Sequence, residues 1–150
     1  MNKDVSIALL GSGFVADFYM QGLANVPGQR VAVNYSRDTK RAKAFARRWS
    51  IPESSTDLGK LVARQDIDLY IIGLPNEAHL PVSLDLSRAR KNQVCTKPLA
   101  RTKKEAKAMY ENALRIELEK VGLRVKQQEP IRLIEINLVN SANPVDMPRD

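Results

Sequence analysis

The sequence predicts an α/β fold in which a doubly wound parallel sheet carries helices on both faces. Short apolar runs alternate with longer amphipathic stretches along most of the chain, as they do when strands feed crossover helices. A turn with two glycines also separates the first apolar run from the first amphipathic stretch. With 150 residues, 43% of them apolar, the chain can bury one ordinary core.

The first half of the chain carries clear signals for the ends of its helices. Pro27-Gly28 stops the first helix, because proline has no amide to continue it. Asp38 caps the second helix, since its carboxylate accepts from the free amides of the first turn, and Thr56 and Asp57 open a brief third helix. We therefore expect strands at 5–10, at 31–35 and within 50–55, and helices at 14–26, at 39–49 and through Leu58, Leu61 and Val62.

The second half contains the clearest buried strand of the sequence. Pro75-Asn76 stops this strand, and the stretch Thr102-Lys103-Lys104-Glu105 is a capping box for the last helix. Gly122 lies at the exit of that helix, where glycine is favoured. The expected strands are at 69–74 and 94–96, and the expected helices are at 78–91 and from the capping box to residue 120.

The turn between the first strand and the first helix has the pattern of a phosphate-binding loop. Gly11 permits the tight turn, Gly13 lets the backbone approach a pyrophosphate, and the small Ala16 lets helix and strand pack closely. The free amides at the helix N-terminus would face the anion. This setting favours a dinucleotide on a Rossmann-type sheet, with a methyltransferase as the alternative. The predicted cofactor contacts in this turn are Gly11, Ser12, Gly13, Phe14, Val15 and Ala16.

The end of the second strand indicates which dinucleotide is bound. Enzymes that prefer NAD place Asp or Glu about 20 residues beyond the glycines, to bind the ribose hydroxyls. Ser36 and Arg37 stand there instead, and Arg41 follows one helical turn later. Guanidinium groups pair with phosphate, so we predict NADP and consider NAD less favoured. The alternative is that both arginines are ordinary exposed residues at a helix start.

Composition argues against several other classes of protein. The net charge of +7 raises a nucleic-acid alternative, but aromatic residues are only 5% and are not interleaved with the basic ones, so a solvated basic surface is expected. The lone Cys95 and the lone His79 are too few for a structural zinc site. No apolar run approaches the length that spans a membrane, and the N-terminus does not resemble a secretory signal. We therefore expect a cytoplasmic protein with no metal, nucleic-acid or membrane partner.

Two further motifs follow the last two expected strands. One is Leu74-Pro75-Asn76 with His79 nearby, and the other is Cys95-Thr96-Lys97-Pro98-Leu99-Ala100. Together with the glycine turn they resemble the Gfo/Idh/MocA oxidoreductases, the family of glucose-fructose oxidoreductase and inositol dehydrogenase, which carry Pro-Asn, a nearby His and Glu-Lys-Pro in these places. Ser36-Arg37 is similar to the corresponding pair in NADP-preferring members. The resemblance covers about residues 5–122.

The resemblance implies roles for individual side chains. Pro75, Asn76 and His79 would line the nicotinamide-ribose side of the cofactor. Lys97 would be the catalytic residue, because its ammonium group can polarise a carbonyl or orient an alcohol as hydride moves. The alternatives are that Lys97 is an exposed strand-end residue, Pro75 an ordinary stop signal, and His79 a helix-start side chain bonded to nearby backbone. The resemblance also implies that Lys97 reaches toward the nicotinamide ribose, so Leu74, Thr96, Lys97 and Pro98 complete the predicted cofactor-binding set.

Thr96 departs from the family pattern, which typically has Glu beside the lysine. Threonine can still form hydrogen bonds, but it does not supply the negative charge that would order or neutralise Lys97. The sequence also has no second histidine for the proton transfer that the family's substrate domain performs. Weaker catalysis or a changed role of the lysine is therefore expected.

The C-terminal part of the sequence departs further. The join near Lys126-Gln127-Gln128 leads almost at once into 130–138, which resembles the first strand of the family's substrate domain. We expect a Rossmann NAD(P)-binding domain at 1–122 and a truncated remnant of the substrate and oligomerisation domain at 123–150. A fragment, a deletion variant or a degenerate gene product would each give this arrangement.

These features together predict an NADP(H)-dependent oxidoreductase that acts on a sugar, a polyol or a related carbonyl or alcohol by hydride transfer. We expect this chain to be truncated and to be inactive without a further polypeptide. The alternative is a non-catalytic NADP(H)-binding module, or a subunit that needs a partner chain. The strand at 131–138 would have an unpaired edge, so association into a homo-oligomer through it is also expected.

Overall fold

Strands alternate with helices throughout the part of the chain that the computed structural model describes, residues 4–120 and 122. The strands are β1 (Val5–Leu10), β2 (Gln29–Tyr35), β3 (Glu53–Ser55), β4 (Leu69–Ile72) and β5 (Gln93–Cys95). The helices are α1 (Phe14–Leu23), α2 (Thr39–Arg48), α3 (Leu58–Ala63), α4 (Asn76–Arg88) and α5 (Lys103–Lys120).

All neighbouring strands in the sheet run parallel, and their order is β3-β2-β1-β4-β5. From β1 the chain winds outward through β2 and β3, and then in the other direction through β4 and β5. The winding therefore reverses between the carboxyl ends of β1 and β4, where open sheets of this kind bind ligands. This topology confirms the predicted doubly wound Rossmann-type sheet.

Two apolar clusters cover the two faces of the sheet. Ala8 and Leu10 of β1 belong to one cluster and Ile7 and Leu9 to the other, and all four are almost completely buried. Helices α3 and α4 contribute to the first cluster, whereas α1 and α2 contribute to the second. Because β1 is buried on both faces, its residues 7–10 are a continuous apolar run instead of an alternating one.

Both predicted aspartate caps in the first half of the chain are confirmed. Asp38 Oδ1 accepts a hydrogen bond from the Arg41 amide at 2.8 Å, and Asp57 Oδ1 accepts from the Lys60 amide at 3.0 Å. The predicted end of α1 was three residues too late. The helix ends at Leu23, and the following residues form a turn in which the Val26 amide donates to the carbonyl of Leu23.

The predicted boundaries around α4 also need correction. Strand β4 ends at Ile72, two residues earlier than predicted, and α4 begins at Asn76 with Pro75 in the capping position. Proline suits a helix start because the amide that it lacks would have no partner there. Pro75-Asn76 therefore opens the helix as well as following the strand. At the other end α4 stops at Arg88, and Arg90 adopts a positive φ of 56° that the helix cannot include.

The predicted capping box of α5 is confirmed in one of its two bonds. The Glu105 amide donates to Thr102 Oγ1 at 3.1 Å, but the Glu105 carboxylate accepts from the amide and guanidinium of Arg101. This pairing lowers the pKa of the Glu105 carboxyl below its usual value. Gly122 has a φ of +83°, as expected for the exit of the helix.

The predicted strand at 131–138 and the predicted remnant domain at 123–150 lie outside the described residues. Within residues 4–120 and 122, no helix is long and apolar enough to cross a bilayer. The same residues contain no cluster of three His, Cys, Asp or Glu side chains arranged to hold a metal ion.

Candidate functional site

The turn after β1 requires glycine at its first position. Gly11 has a φ of +128°, and a Cβ atom built there would overlap the carbonyl group of Gly73, lying 2.9 Å from its carbon. Backbone bonds hold the two turns together, since the Gly11 amide donates to the carbonyl of Tyr35 and the Gly73 amide to that of Leu10, each at 2.8 Å. Gly73 was not predicted as a site residue, although a glycine directly after the apolar residues of β4 is visible in the sequence.

Asn34 supports the same turn from β2. Its side chain is completely buried, and its amide Nδ2 donates to the carbonyls of Leu9 and Gly11 at 3.2 and 2.5 Å. An unpaired buried carbonyl is costly, so these two bonds stabilise the unusual conformation of the turn. Asn34 was also not predicted, and its signal in the sequence is a polar residue inside the apolar run of β2.

The first turn of α1 offers free backbone amides beside this turn. Gly13 occupies the capping position and supplies no side-chain bond, and the first intrahelical bond runs from the Asp17 amide to the Gly13 carbonyl at 3.0 Å. The amides at the start of the helix therefore have no helical partner, and the positive end of the helix dipole lies here. Ala16 is completely buried and packs in the core between α1 and the sheet. The arrangement suits a bound phosphate group.

A cleft of about 500 Å³ lies over the carboxyl ends of β1, β2 and β4. It includes most of the predicted cofactor contacts and two residues, Asp38 and Gly73, that were not predicted to contact the cofactor. The predicted residues that line it are Gly11, Ser12, Gly13, Phe14, Val15, Ser36, Arg37, Arg41, Leu74, Pro75 and Asn76.

One corner of the cleft, formed by Ser36, Arg37, Asp38 and Arg41, carries most of its charge. Arg37 and Arg41 are exposed, and Arg41 Nη2 lies 3.9 Å from the position of a Cβ atom on Gly13, close to the glycine turn. Asp38 brings a carboxylate into the same corner, where one oxygen is bonded to the Arg41 amide. Two arginines and one aspartate thus line the same corner of the cleft.

Lys97 lies beside the cleft, in a separate apolar depression of about 660 Å³. Phe14 and Val15 line both the depression and the cleft, so the two are neighbours on the surface. The Lys97 side chain is exposed, and the preceding Thr96 is anchored to the sheet by its amide, which donates to the Ile72 carbonyl at 3.1 Å. The Lys97-Pro98 peptide is cis. Lys97 therefore lies in the depression next to the glycine-turn end of the cleft.

His79 does not line the cleft. It is completely buried on the first turn of α4, and both ring nitrogens face backbone carbonyl oxygens. Pro98 provides one of those carbonyls, and its own ring lies on the exposed side of the loop after β5. The structure thus brings Leu74, Pro75 and Asn76 to the cleft and places His79 behind them.

A protein-family model described as an oxidoreductase family with an NAD-binding Rossmann fold matches residues 5–119 of this sequence. The chain belongs to the Gfo/Idh/MocA oxidoreductase family. The turn after β1 and the cleft above it are therefore part of the NAD(P)-binding Rossmann domain of a Gfo/Idh/MocA protein.

Two similar proteins are named as dehydrogenases of levoglucosan and of scyllo-inositol. Levoglucosan dehydrogenase of Pseudarthrobacter phenanthrenivorans is 29% identical over 118 residues, which cover 73% of this chain and 30% of the relative. An NADP(+) scyllo-inositol 2-dehydrogenase of Bacillus subtilis is 26% identical over 109 residues, which cover 73% of this chain and 33% of the relative. The Gfo/Idh/MocA chain described here thus spans about a third of the length of these relatives.

A solved structure shows the same fold with a ligand pair bound. Levoglucosan dehydrogenase in complex with NADH and levoglucosan superimposes with a TM-score of 0.72 at 28% identity, and the match covers 75% of this chain and 32% of that one. The fold of the matched residues in this Gfo/Idh/MocA chain thus corresponds to about a third of a protein whose structure contains NADH and levoglucosan.

Proposed function

We propose that this chain is the NADP(H)-binding part of a Gfo/Idh/MocA oxidoreductase that transfers hydride between the dinucleotide and a sugar, a polyol or a related carbonyl or alcohol. The observation that carries this proposal is the turn at Gly11, where a side chain would overlap Gly73 and the free amides of α1 face the cleft. Such a turn brings backbone close to a ligand, and free amides at a helix start bind phosphate.

The cleft fits a dinucleotide in chemistry as well as in position. The free amides of Phe14 and Val15 would hold the diphosphate, with Ser12 and Gly13 beside them. Pro75 and Asn76 line the opposite wall at the end of β4 and would contact the nicotinamide ribose. When bound, the dinucleotide supplies or accepts the hydride, and the chain's own residues bind and orient it.

The charged corner supports NADP over NAD. The guanidinium groups of Arg37 and Arg41 would pair with the 2′-phosphate, and Ser36 would donate a hydrogen bond to it. Asp38 opposes this preference, because its carboxylate repels a phosphate dianion and can accept from ribose hydroxyls. We therefore expect NADPH to bind more tightly than NADH, and NADH still to bind.

Lys97 is the residue that we propose acts on the substrate. Lys97 lines the depression that adjoins the cleft at Phe14 and Val15. From there it can donate a hydrogen bond to a carbonyl oxygen and stabilise the negative charge that develops as hydride arrives. Because Thr96 stands where the family typically has Glu, the Lys97 ammonium group has no carboxylate from the preceding residue.

A second candidate is a binding module or subunit that completes its active site with another polypeptide. The exposure of Lys97 and of Phe14, which is 76% exposed, favours it, because hydride transfer needs a site from which water is excluded. On this account residues 1–122 bind the dinucleotide and 123–150 belong to the substrate and oligomerisation part. A chain that binds NADPH but oxidises it only when a second polypeptide is added would support this candidate.

Substitution of Arg37 by Asp tests the assignment of the phosphate corner. Loss of a charge-assisted hydrogen bond costs about 1.5–3 kcal/mol, so the preference for NADPH over NADH should fall by about tenfold or more. Fluorescence titration with each dinucleotide measures this ratio. Arg47→Asp is the matched control, since Arg47 is an exposed arginine of α2 that does not line the cleft. An unchanged ratio in Arg37→Asp would show that the 2′-phosphate is bound elsewhere.

A further inference from the structure

We propose that His79 is a positioning residue for Lys97, which it serves by tying the loop after β5 to the loop after β4. The His79 ring is completely buried. Its Nε2 lies 2.8 Å from the carbonyl oxygen of Leu74, in the loop after β4. Its Nδ1 lies 3.0 Å from the carbonyl oxygen of Pro98 and 3.3 Å from that of Leu99, in the loop after β5.

Among the described residues, the three carbonyl oxygens that face the His79 ring receive no other strong hydrogen bond. All three are carbonyl oxygens, which accept hydrogen bonds and cannot donate them. Among the loop and turn bonds of residues 4–120 and 122, no backbone amide donates to Leu74, Pro98 or Leu99. Within the described part of the chain, the Leu99 oxygen receives, apart from His79, the weak thiol donor of Cys95 at 3.9 Å. A neutral imidazole donates from one nitrogen only, so the ring joins the two loops when both nitrogens carry hydrogen and each donates to the carbonyl oxygen that it faces.

The position of the ring links the cleft to the lysine. Leu74 lines the dinucleotide cleft, and Pro98 and Leu99 directly follow Lys97. On its other side Lys97 is held by Thr96, whose amide is bonded to the sheet. His79 supplies the second anchor, so it sets the distance between the end of β4 and the backbone that carries Lys97. The functional importance of this link rests on the proposed role of Lys97, whereas the link itself does not.

Backbone dynamics of the protein without dinucleotide test the proposal. In His79→Leu, which has no donor, the ¹⁵N order parameters of Lys97 and Leu99 should fall from about 0.85 to below about 0.6. The order parameter of Leu9 in β1 should not change. Ser83→Ala is the matched control, because Ser83 is also a buried polar residue of α4, and it should keep both loops at wild-type values.

A second variant keeps the test valid if His79→Leu does not fold. His79→Gln carries its donors on one nitrogen and can hold one loop only, so the order parameter should fall at either Leu74 or Leu99. Wild-type order parameters at Leu74, Lys97 and Leu99 in a folded variant would overturn the proposal. An equal loss of order at Leu9 would overturn it as well, because it would show a general destabilisation. No dinucleotide is present, so failure here would leave the proposed function standing.

Discussion

Replacement of Gly11 by alanine should destabilise the protein by about 2–5 kcal/mol and abolish dinucleotide binding. The positive φ at this position costs about 1–2 kcal/mol for a residue with a side chain. The added Cβ must also displace the backbone carbonyl of Gly73, and such overpacking costs about 1–3 kcal/mol more. Chemical denaturation measures the loss of stability, and fluorescence titration with NADPH measures the loss of binding.

Gly22→Ala is the matched control for this substitution. Gly22 lies in α1, and nothing is within 4 Å of the position of its Cβ. Alanine is the better helix former, so this variant should gain up to about 1 kcal/mol of stability and bind NADPH as the wild type does. If Gly11→Ala were as stable as Gly22→Ala, the close contact between the turns after β1 and β4 would not exist in solution.

Replacement of Lys97 by methionine should lower turnover by about 100-fold or more and leave NADPH binding within about twofold. Methionine keeps most of the length and apolar surface of the lysine but cannot donate to a carbonyl oxygen. The lysine lies in the depression beside the cleft, outside the residues that would hold the diphosphate. Rates of NADPH oxidation with small carbonyl sugars measure the first effect, and titration measures the second.

Lys103→Met provides the control for charge, because Lys103 is an exposed lysine at the start of α5. Its turnover should match that of the wild type. If both Lys97→Met and Lys103→Met had wild-type turnover, a group other than Lys97 would have to stabilise the negative charge that develops on the substrate. If Lys97→Met lost NADPH binding instead, the lysine would belong to the dinucleotide site.

The fold was predictable from the sequence because its two central strands are buried on both faces. β1 and β4 each contain a run of apolar residues, and in a chain of this size such a run is buried in the middle of the sheet. The ends of the elements were less predictable, because tertiary contacts decide them. Pro75 was interpreted as a stop signal for β4, although it also caps α4, and the three-residue strands β3 and β5 depend on pairing with β2 and β4.

The candidate site was predictable where local sequence decides its geometry. Gly11 and Gly13 come directly after β1, and Ser36 and Arg37 come directly after β2. In a parallel sheet the carboxyl ends of neighbouring strands lie at the same edge, so the sequence could predict that these residues line one cleft. The contributions of Gly73 and Asn34 depend on atoms that lie far away in sequence. The burial of His79 likewise depends on the loop after β5, whose path no local pattern specifies.

Isothermal titration calorimetry of the folded chain with NADPH and with NADH tests the central claim most directly, that the turn at Gly11 and the corner at Arg37 bind a dinucleotide phosphate. We predict saturable binding of one NADPH per chain, and weaker binding of NADH at the same site. A chain that is folded by circular dichroism but gives no saturable heat with either dinucleotide would contradict the account.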